Sequence, residues 1–278
     1  MNELISVIVA TYNREAALDA VLRALSRQTD RHFEIIVADD GSEGPTRALV
    51  QTWAERSELT IRHVWQEDRG FRAGEARNRA ILASSGSYCM FLDGDCIPRA
   101  SFVAVHRRLA EPGWFVSGNR VLVSEKCTER VLGSPLRPED WNGADWLELR
   151  RRGDLNRLLP LLRLPLGPLR KLRPGLWRGA RSSNLGVWRP DLDRVDGFDT
   201  TYSGWGLEDS DLLIRLLRVG VRRKDGNFAT GVLHLWHPEN DRSQMPENQR
   251  RLAEVVQSNR VRARAGLSAL RAAAVVQG

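Results

Sequence analysis

Apolar residues in this chain arrive as short unbroken runs, each followed by a polar turn and then by a helical spacing. Residues 4–10 read Leu-Ile-Ser-Val-Ile-Val-Ala, and residues 33–38, 59–65 and 88–92 are runs of the same type. Unbroken rather than alternating hydrophobicity marks strands buried on both faces of a parallel sheet. Between them, Ala17, Val21, Leu22 and Leu25 share one helical face, and Leu49, Val50 and Trp53 line a second helix over residues 45–56. A third helix is predicted over residues 72–84. Strand and helix alternating at short spacing predict an α/β fold with right-handed crossovers.

Downstream the rhythm loosens. The pattern predicts a helix over 101–109, a single strand over 115–123, a return of regular order over 182–188 and a helix from Glu208 to Gly220. One or two strands over 221–234 and a terminal helix over 247–266 complete it. Residues 133–181 differ in kind, being rich in Leu, Pro and Arg, and Pro160, Pro165 and Pro168 forbid one long helix there. The expected divisions are 1–132, 133–181, 182–240 and 241–278.

Composition changes this picture in two places. A formal charge of +7 makes some face basic and favours anionic partners. Cys89, Cys96 and Cys127 form no Cys-x-x-Cys pair and are odd in number, which predicts reduced thiols and a cytoplasmic compartment. No apolar run approaches about 18 residues, so no membrane span is expected. The first residues do not resemble a secretory signal.

Three constellations carry candidate chemistry. The run at 88–92 ends in Asp93-Gly94-Asp95, where ligands of open α/β sheets bind, beyond the carboxyl ends of the strands. If extended, this triplet projects both carboxylates one way, and two so close call for a cation. Asp-Gly is equally ordinary turn chemistry. Asp39 and Asp40 end the second run on the same edge, suited to a base N–H or a ribose hydroxyl, or simply to a turn with a helix cap. The second constellation is Gly204-Trp205-Gly206-Leu207-Glu208-Asp209-Ser210-Asp211. A helix start stabilises anions, which would keep Glu208 or Asp209 ionised as a general base must be. Trp205 offers a flat face to a sugar, although an acidic, well-capped first turn would look the same. The third is His234-Leu235-Trp236-His237, whose two imidazoles suit a transition cation such as Mn²⁺. Neither Gly-x-Gly-x-x-Gly after the first strand nor a P-loop is present, which disfavours those nucleotide folds.

Four ordered segments then carry a resemblance: Ser6-Val-Ile-Val-Ala-Thr-Tyr-Asn-Arg14, Glu34-Ile-Ile-Val-Ala-Asp-Asp-Gly-Ser42, Ala76-Arg-Asn-Arg-Ala80 and Phe91-Leu-Asp-Gly-Asp95. The chain resembles family 2 glycosyltransferases over its first hundred or so residues. From Ser183-Asn184 through Gly197-Phe198-Asp199 to Asp211 it is similar to the C-terminal part of β-1,4-galactosyltransferases and bacterial chondroitin-type polymerases. The resemblance implies a GT-A fold, a Rossmann-like nucleotide-binding half fused to an acceptor-binding half around a mostly parallel mixed sheet. It implies a nucleotide-sugar donor, UDP-linked hexose favoured over a TDP-sugar, and inverting transfer assisted by Mn²⁺ or Mg²⁺. By position, Thr11, Asn13, Asp39 and Asp40 would line base and ribose, Arg77 would steady the nucleotide, and Asp93 would hold ribose or metal. Asp95, His237 and His234 would ligate the metal, Asp209 would be the base, and Glu208 and Trp205 would hold the acceptor. The departure is Leu207, where the galactosyltransferase pattern carries Gly.

A glycan or glycolipid of the bacterial surface, such as lipopolysaccharide core or exopolysaccharide, is the acceptor implied. The basic stretch 133–181 is either an interfacial segment reaching an anionic bilayer from the cytoplasmic side or a solvated loop or lid over the acceptor. No motif for nucleic acid accompanies its charge. The competing classes are a non-catalytic basic protein binding membrane or nucleic acid, and a nucleotidyltransferase on a similar sheet.

Overall fold

The structure, a computed structural model, describes residues 3–276; positions 1, 2, 277 and 278, at the ends of the first and last expected divisions, lie outside the described residues. Strand β1 (Ile5–Thr11) leads through α1 (Glu15–Ser26) to β2 (Phe33–Asp39), through α2 (Gly44–Arg56) to β3 (Ile61–Trp65), and through α3 (Ala73–Ala83) to β4 (Tyr88–Asp93). A tight turn gives β5 (Cys96–Pro98), followed by α4 (Phe102–Leu109), β6 (Trp114–Ser117), β7 (Arg120–Leu122), α5 (Glu125–Leu132) and α6 (Gly143–Arg151). The chain returns with β8 (Asn184–Trp188), α7 (Arg189–Val195), α8 (Glu208–Arg218), β9 (Arg222–Asp225), β10 (Val232–His234), α9 (Met245–Gln257) and α10 (Leu267–Val276).

Seven strands form one sheet in the order β3-β2-β1-β4-β8-β6-β9. β3, β2, β1 and β4 are parallel, and β8 runs antiparallel to both β4 and β6. The architecture is therefore α/β with a mostly parallel mixed sheet. Strand residues alternate faces, and both faces are buried. Ile5, Val7 and Val9 pack with Tyr88, Met90 and Leu92 against α1, while Ile8 packs with Ile36, Phe91, Ala76 and Ala80 on the α3 side. Hence the unbroken apolar runs. A smaller sheet, β5-β10-β7, lies beyond β4 and brings the end of β10 beside the turn that follows β4.

The structure corrects three expectations. The strand expected over 115–123 divides at Gly118 into β6 and β7, which belong to different sheets. A side chain at Gly118 would fall on Asn184 and Thr230, and β6 continues its contacts through β8 whereas β7 turns to β10. The terminal helix expected over 247–266 stops at Gln257 and restarts as α10. Between them Arg260 is drawn inward to the buried carboxylates of Asp199 (2.7 Å) and Asp211 (2.8 Å), a path a continuous helix could not take. Residues 133–181 are not simply solvated: Trp146, Leu155 and Leu161 join the main core, and Asn142 and Asp145 form a capping box at the start of α6.

Gly186 in the middle of β8 lies against Tyr88 and His106. A Cβ there would sit on the tyrosine hydroxyl, 2.6 Å from Cζ and 2.9 Å from His106 Nδ1. Gly186→Ala is expected to lower the free energy of unfolding by about 1–3 kcal/mol through overpacking. Urea unfolding checks this, and an unchanged midpoint would contradict the packing described.

Candidate functional site

The carboxyl ends of β1, β2 and β4 meet at one edge, as parallel register requires, with Ala10 opposite Asp93 and Thr11 opposite Asp39. Asn13 follows β1 in a left-handed conformation (φ 44°) that turns the chain. Its amide donates to Ser42 Oγ (2.9 Å), and its Oδ1 accepts from the Glu43 amide (2.8 Å). The turn after β1 is thereby tied to the turn after β2. Asp39 is completely buried and is held by His63 Nε2 (2.7 Å) and the Ser42 amide (2.8 Å). Burial alone would raise its pKa, but these hydrogen bonds outweigh it and hold the carboxyl below its usual range. Asp39 thus braces the loop. Asp40 accepts from Gln66 Nε2 (2.6 Å) and the Arg72 amide (2.7 Å), and burial pushes its pKa up to about 6.

At the end of β4 the chain does not stay extended. It turns at Gly94, whose amide donates to the Ala10 carbonyl (2.7 Å) and whose Cα lies so close to β1 that a Cβ would come within 3.2 Å of Thr11. The turn reading of Asp-Gly-Asp therefore holds, and the turn sends the two carboxylates to different neighbours. Asp93 receives Arg77 Nη2 at 3.0 Å, while burial raises its pKa against the pull of that guanidinium. Asp95 faces His234 Nε2 and His237 Nε2, each 3.5 Å away. Ligand atoms of these three residues all lie within 4.8 Å of one another. His237 Nδ1 lies 2.6 Å from the Pro238 carbonyl, which requires the proton on Nδ1 and turns Nε2 toward Asp95. Burial lowers the pKa of His234 to about 4, so its imidazole is neutral. A carboxylate and two imidazoles form a donor set suited to a transition cation.

From the other half of the chain, α8 delivers the acidic segment. Gly204 (φ 70°), Gly206 (φ 101°) and Leu207 (φ 79°) are all left-handed, and buried Asn248 on α9 fastens this loop by donating to the Ser203 (3.0 Å) and Gly206 (3.1 Å) carbonyls. The conformation explains the departure at residue 207. A position with positive φ favours glycine, and leucine there carries about 1–2 kcal/mol of strain. Glu208 Oε1 meets Arg77 Nη1 at 3.1 Å. Burial, joined by the neighbouring Asp209 charge, outweighs the pull of Arg77 and raises the Glu208 pKa to about 7. Asp209 is different. Its Oδ1 is buried and has no hydrogen-bond partner among the described residues. Trp205 has one ring face covered by Arg242, 5.0 Å from the ring centroid.

The structure thus brings Thr11, Asn13, Asp39 and Asp40 together at one loop cluster, and Arg77, Asp93 and Glu208 at a second. Asp95, His234 and His237 form a third. Sequence reasoning missed Arg14, whose Nη1 lies 2.6 Å from Asp95 Oδ2 and whose Nη2 donates to the Trp236 carbonyl at 3.1 Å. It also missed Tyr12 and Trp65, exposed aromatics tied to the same loops through Asp68 (2.8 Å) and the Ser42 carbonyl (2.9 Å). Arg14 and Tyr12 stand inside the Thr-Tyr-Asn-Arg segment, which was the available signal.

With that geometry in view, comparison with known proteins defines the class. Residues 6–162 match the model of glycosyl transferase family 2, and residues 176–238 match that of the N-terminal domain of galactosyltransferase. The chain belongs to glycosyl transferase family 2, and its fold is GT-A. Among relatives, it is 34% identical over 243 residues to validoxylamine A glucosyltransferase of Streptomyces hygroscopicus subsp. limoneus, covering 82% of this chain and 51% of the relative. It is 26% identical over 239 residues to chondroitin synthase of Pasteurella multocida, covering 81% and 24%. The chain spans about half the length, or less, of these curated relatives. Two solved structures share the fold. The mannosyltransferase PcManGT from Pyrobaculum calidifontis, in complex with GDP-Man and Mn²⁺, superposes with TM-score 0.59 at 19% identity over 100% of this chain and 76% of that one. TarS 1-349 of S. aureus, in complex with UDP-GlcNAc, gives 0.62 at 16% identity, covering 91% and 66%.

The raised Glu208 pKa has a signed consequence. Between the ordinary glutamate value of 4.5 and about 7 the folded chain holds a proton that the unfolded chain releases. Stability from this group is therefore complete below pH 4.5 and is lost as pH rises through about 7. The difference in melting temperature between Glu208→Gln and the parent is expected to move in favour of the variant across that interval and to level off above it. A difference independent of pH would show that Glu208 titrates normally.

Proposed function

We propose that the protein is an inverting glycosyltransferase of the cytoplasm. It moves a sugar, a hexose by preference, from a nucleoside diphosphate to a hydroxyl of a bacterial surface glycan such as lipopolysaccharide core or exopolysaccharide. One observation carries the reading: Asp209 Oδ1 is buried without a partner among the described residues, at the start of the helix whose first residue, Glu208, joins Arg77 and Asp93. A buried acceptor atom left open beside a strand-end carboxylate cluster is where an incoming hydroxyl would be received.

In this reading Thr11, Asn13 and Asp40 take the base and ribose, Asp39 fixes their loop, and Tyr12 adds an exposed ring at the mouth. UDP is the favoured nucleotide and TDP the alternative. Asp209 accepts the hydroxyl proton as that oxygen attacks the anomeric carbon from the face opposite the diphosphate. The new C–O bond forms as the bond to the diphosphate breaks, its electron pair leaves with the phosphate, and the configuration inverts. Arg77 keeps Asp93 and Glu208 in register across the two halves of the site. Glu208 and Trp205 position the acceptor. Asp95, His234 and His237 fit a divalent cation, Mn²⁺ before Mg²⁺ because two of the donors are nitrogen. When bound, it supplies neutralisation of the charge growing on the departing diphosphate. The similarity to a validoxylamine A glucosyltransferase favours a second acceptor, validoxylamine A, and an acceptor panel separates it from the surface glycan.

Asp209→Asn is expected to retain UDP-sugar binding and melting temperature while transfer falls about 10²–10⁴-fold, as loss of a general base does. Calorimetry and a UDP-release assay on the same preparation measure both. Undiminished transfer would remove Asp209 from the chemistry.

Arg14 places a guanidinium against Asp95, one of the residues that would hold the cation. Mn²⁺ binding without nucleotide, read by electron paramagnetic resonance, is expected to tighten on the order of tenfold in Arg14→Gln, the size of one charge-assisted hydrogen bond. Asp95→Asn should abolish that binding. Equal Mn²⁺ affinity in the parent and Arg14→Gln would show that the guanidinium does not compete.

A further inference from the structure

Between Asp154 and Asp191 the sequence contains no acidic residue, yet Arg157, Arg163, Arg170, Lys171, Arg173, Arg178, Arg181 and Arg189 fall in that interval. Elsewhere arginines are mostly answered by carboxylates, as in the pairs of α9 between Arg250, Arg251 and Glu247. Here Arg157 and Arg163 donate to a carbonyl and a hydroxyl, those of Arg120 and Ser101. Among the described residues Arg173 and Arg178 meet no carboxylate. The same interval exposes leucines: Leu159 (64%), Leu162 (43%), Leu164 (42%), Leu169 (58%) and Leu172 (72%).

These leucines are not on a loose loop. Two 3-10 turns, Leu159–Leu161 and Gly167–Lys171, shape the segment, and buried Arg170 nails it down by donating to the Asp225 (2.9 Å), Asn227 (2.7 Å) and Leu164 (2.8 Å) carbonyls. Apolar side chains held outward on a fixed backbone mark an interaction surface rather than a chance of folding. Beside them a cleft of about 730 Å³ is lined by Arg108, Arg163, Lys171 and Lys224 with Leu164 and Phe228. Glu111 is the carboxylate in this wall and is shared by Lys171 and Lys224. Burial, and then the charge of Arg108, lowers the Arg163 pKa, and burial with the charge of Arg163 lowers Arg99 to about 10. Crowded cations of this kind are relieved by a bound anion.

We propose that residues 157–178 are the docking surface by which the protein sits on an anionic lipid bilayer, the exposed leucines entering the interface and the unpaired arginines and the basic cleft facing lipid phosphates. Apolar insertion and attraction to anionic lipid act together in such segments. The occupant is a membrane rather than a nucleic acid because five exposed leucines, against the single aromatic ring of Trp177, are interleaved with the charge. The inference goes beyond the transfer reaction and does not depend on it.

The test is sedimentation of the full chain with vesicles of phosphatidylglycerol and phosphatidylcholine, against pure phosphatidylcholine. Binding to the anionic vesicles is expected, weakening with salt. Each neutralisation in Arg173→Gln and Arg178→Gln should weaken it about fivefold, the equivalent of about 1 kcal/mol per basic residue near a charged surface. Leu169→Ser with Leu172→Ser should weaken it on the order of tenfold. The control pair Arg250→Gln and Arg251→Gln on α9 should bind as the parent does. Unaltered UDP binding and melting temperature in every variant separate failure of docking from failure of the catalytic reading. Absence of binding to anionic vesicles overturns the proposal, as does an equal loss in the control pair. So does indifference to the leucine substitutions, which would leave only a solvated basic face. Salt-sensitive binding of an RNA oligonucleotide in place of vesicles would assign the surface to nucleic acid instead.

Discussion

Arg77 projects from α3 and places one nitrogen 3.0 Å from Asp93, at the end of β4, and another 3.1 Å from Glu208, at the start of α8. The two carboxylates come from opposite halves of the chain. The guanidinium is buried, and it is the bracket between the end of β4 and the acidic helix. Its surroundings show why arginine is needed: a planar fork can answer two acceptors at once, where a lysine would serve as a point charge. Removing one member of such a buried group leaves the others uncompensated, which typically costs about 3–5 kcal/mol. Strand ends, helix start and the open Asp209 carboxylate therefore hold their relative positions through one side chain.

A second buried network supports the first from behind. Asp211, one turn along α8 from Leu207, pairs with buried Arg215 and also accepts from Arg260 at 2.8 Å and from the Tyr202 hydroxyl at 3.3 Å. Arg260 reaches Asp199 as well, at 2.7 Å. The segment between α9 and α10 is drawn across the outside of α8 by these charges. The helix that presents Asp209 is thus clamped on the side away from the site, while the left-handed run from Gly206 to Leu207 fixes where it begins.

Much of this was legible in the sequence, for definable reasons. Buried strands leave unbroken apolar runs, and β1, β2 and β4 fall where those runs stand. Their polar ends at Thr11, Asp39 and Asp93 mark the binding edge. What the sequence did not disclose depends on partners distant along the chain. The break between β6 and β7 is set by the approach of Asn184 and Thr230 to Gly118, and the break after α9 by Arg260 meeting two buried aspartates. Neither leaves a local pattern. Arg14 was overlooked for a similar reason: its helix-start position suggests nothing about a carboxylate eighty-one residues away. The raised Glu208 pKa likewise follows from burial, which a run of acidic residues at a helix start does not announce.

The place of β8 has a further consequence for how such a molecule can be altered. It enters the sheet between β4 and β6, antiparallel to both, so the strand opening the second half of the chain is stitched into the first. A cut just before β8 would bare the full hydrogen-bonding edge of β4, and an unprotected apolar edge invites pairing with other chains. The two halves are therefore poor units of exchange between relatives. The modular unit is instead the loop between α7 and α8, carrying Trp205 and Leu207, which hangs on Asn248 and Arg260 without contributing a strand. Diversification on this scaffold would proceed by rewriting that loop while the woven sheet stays fixed.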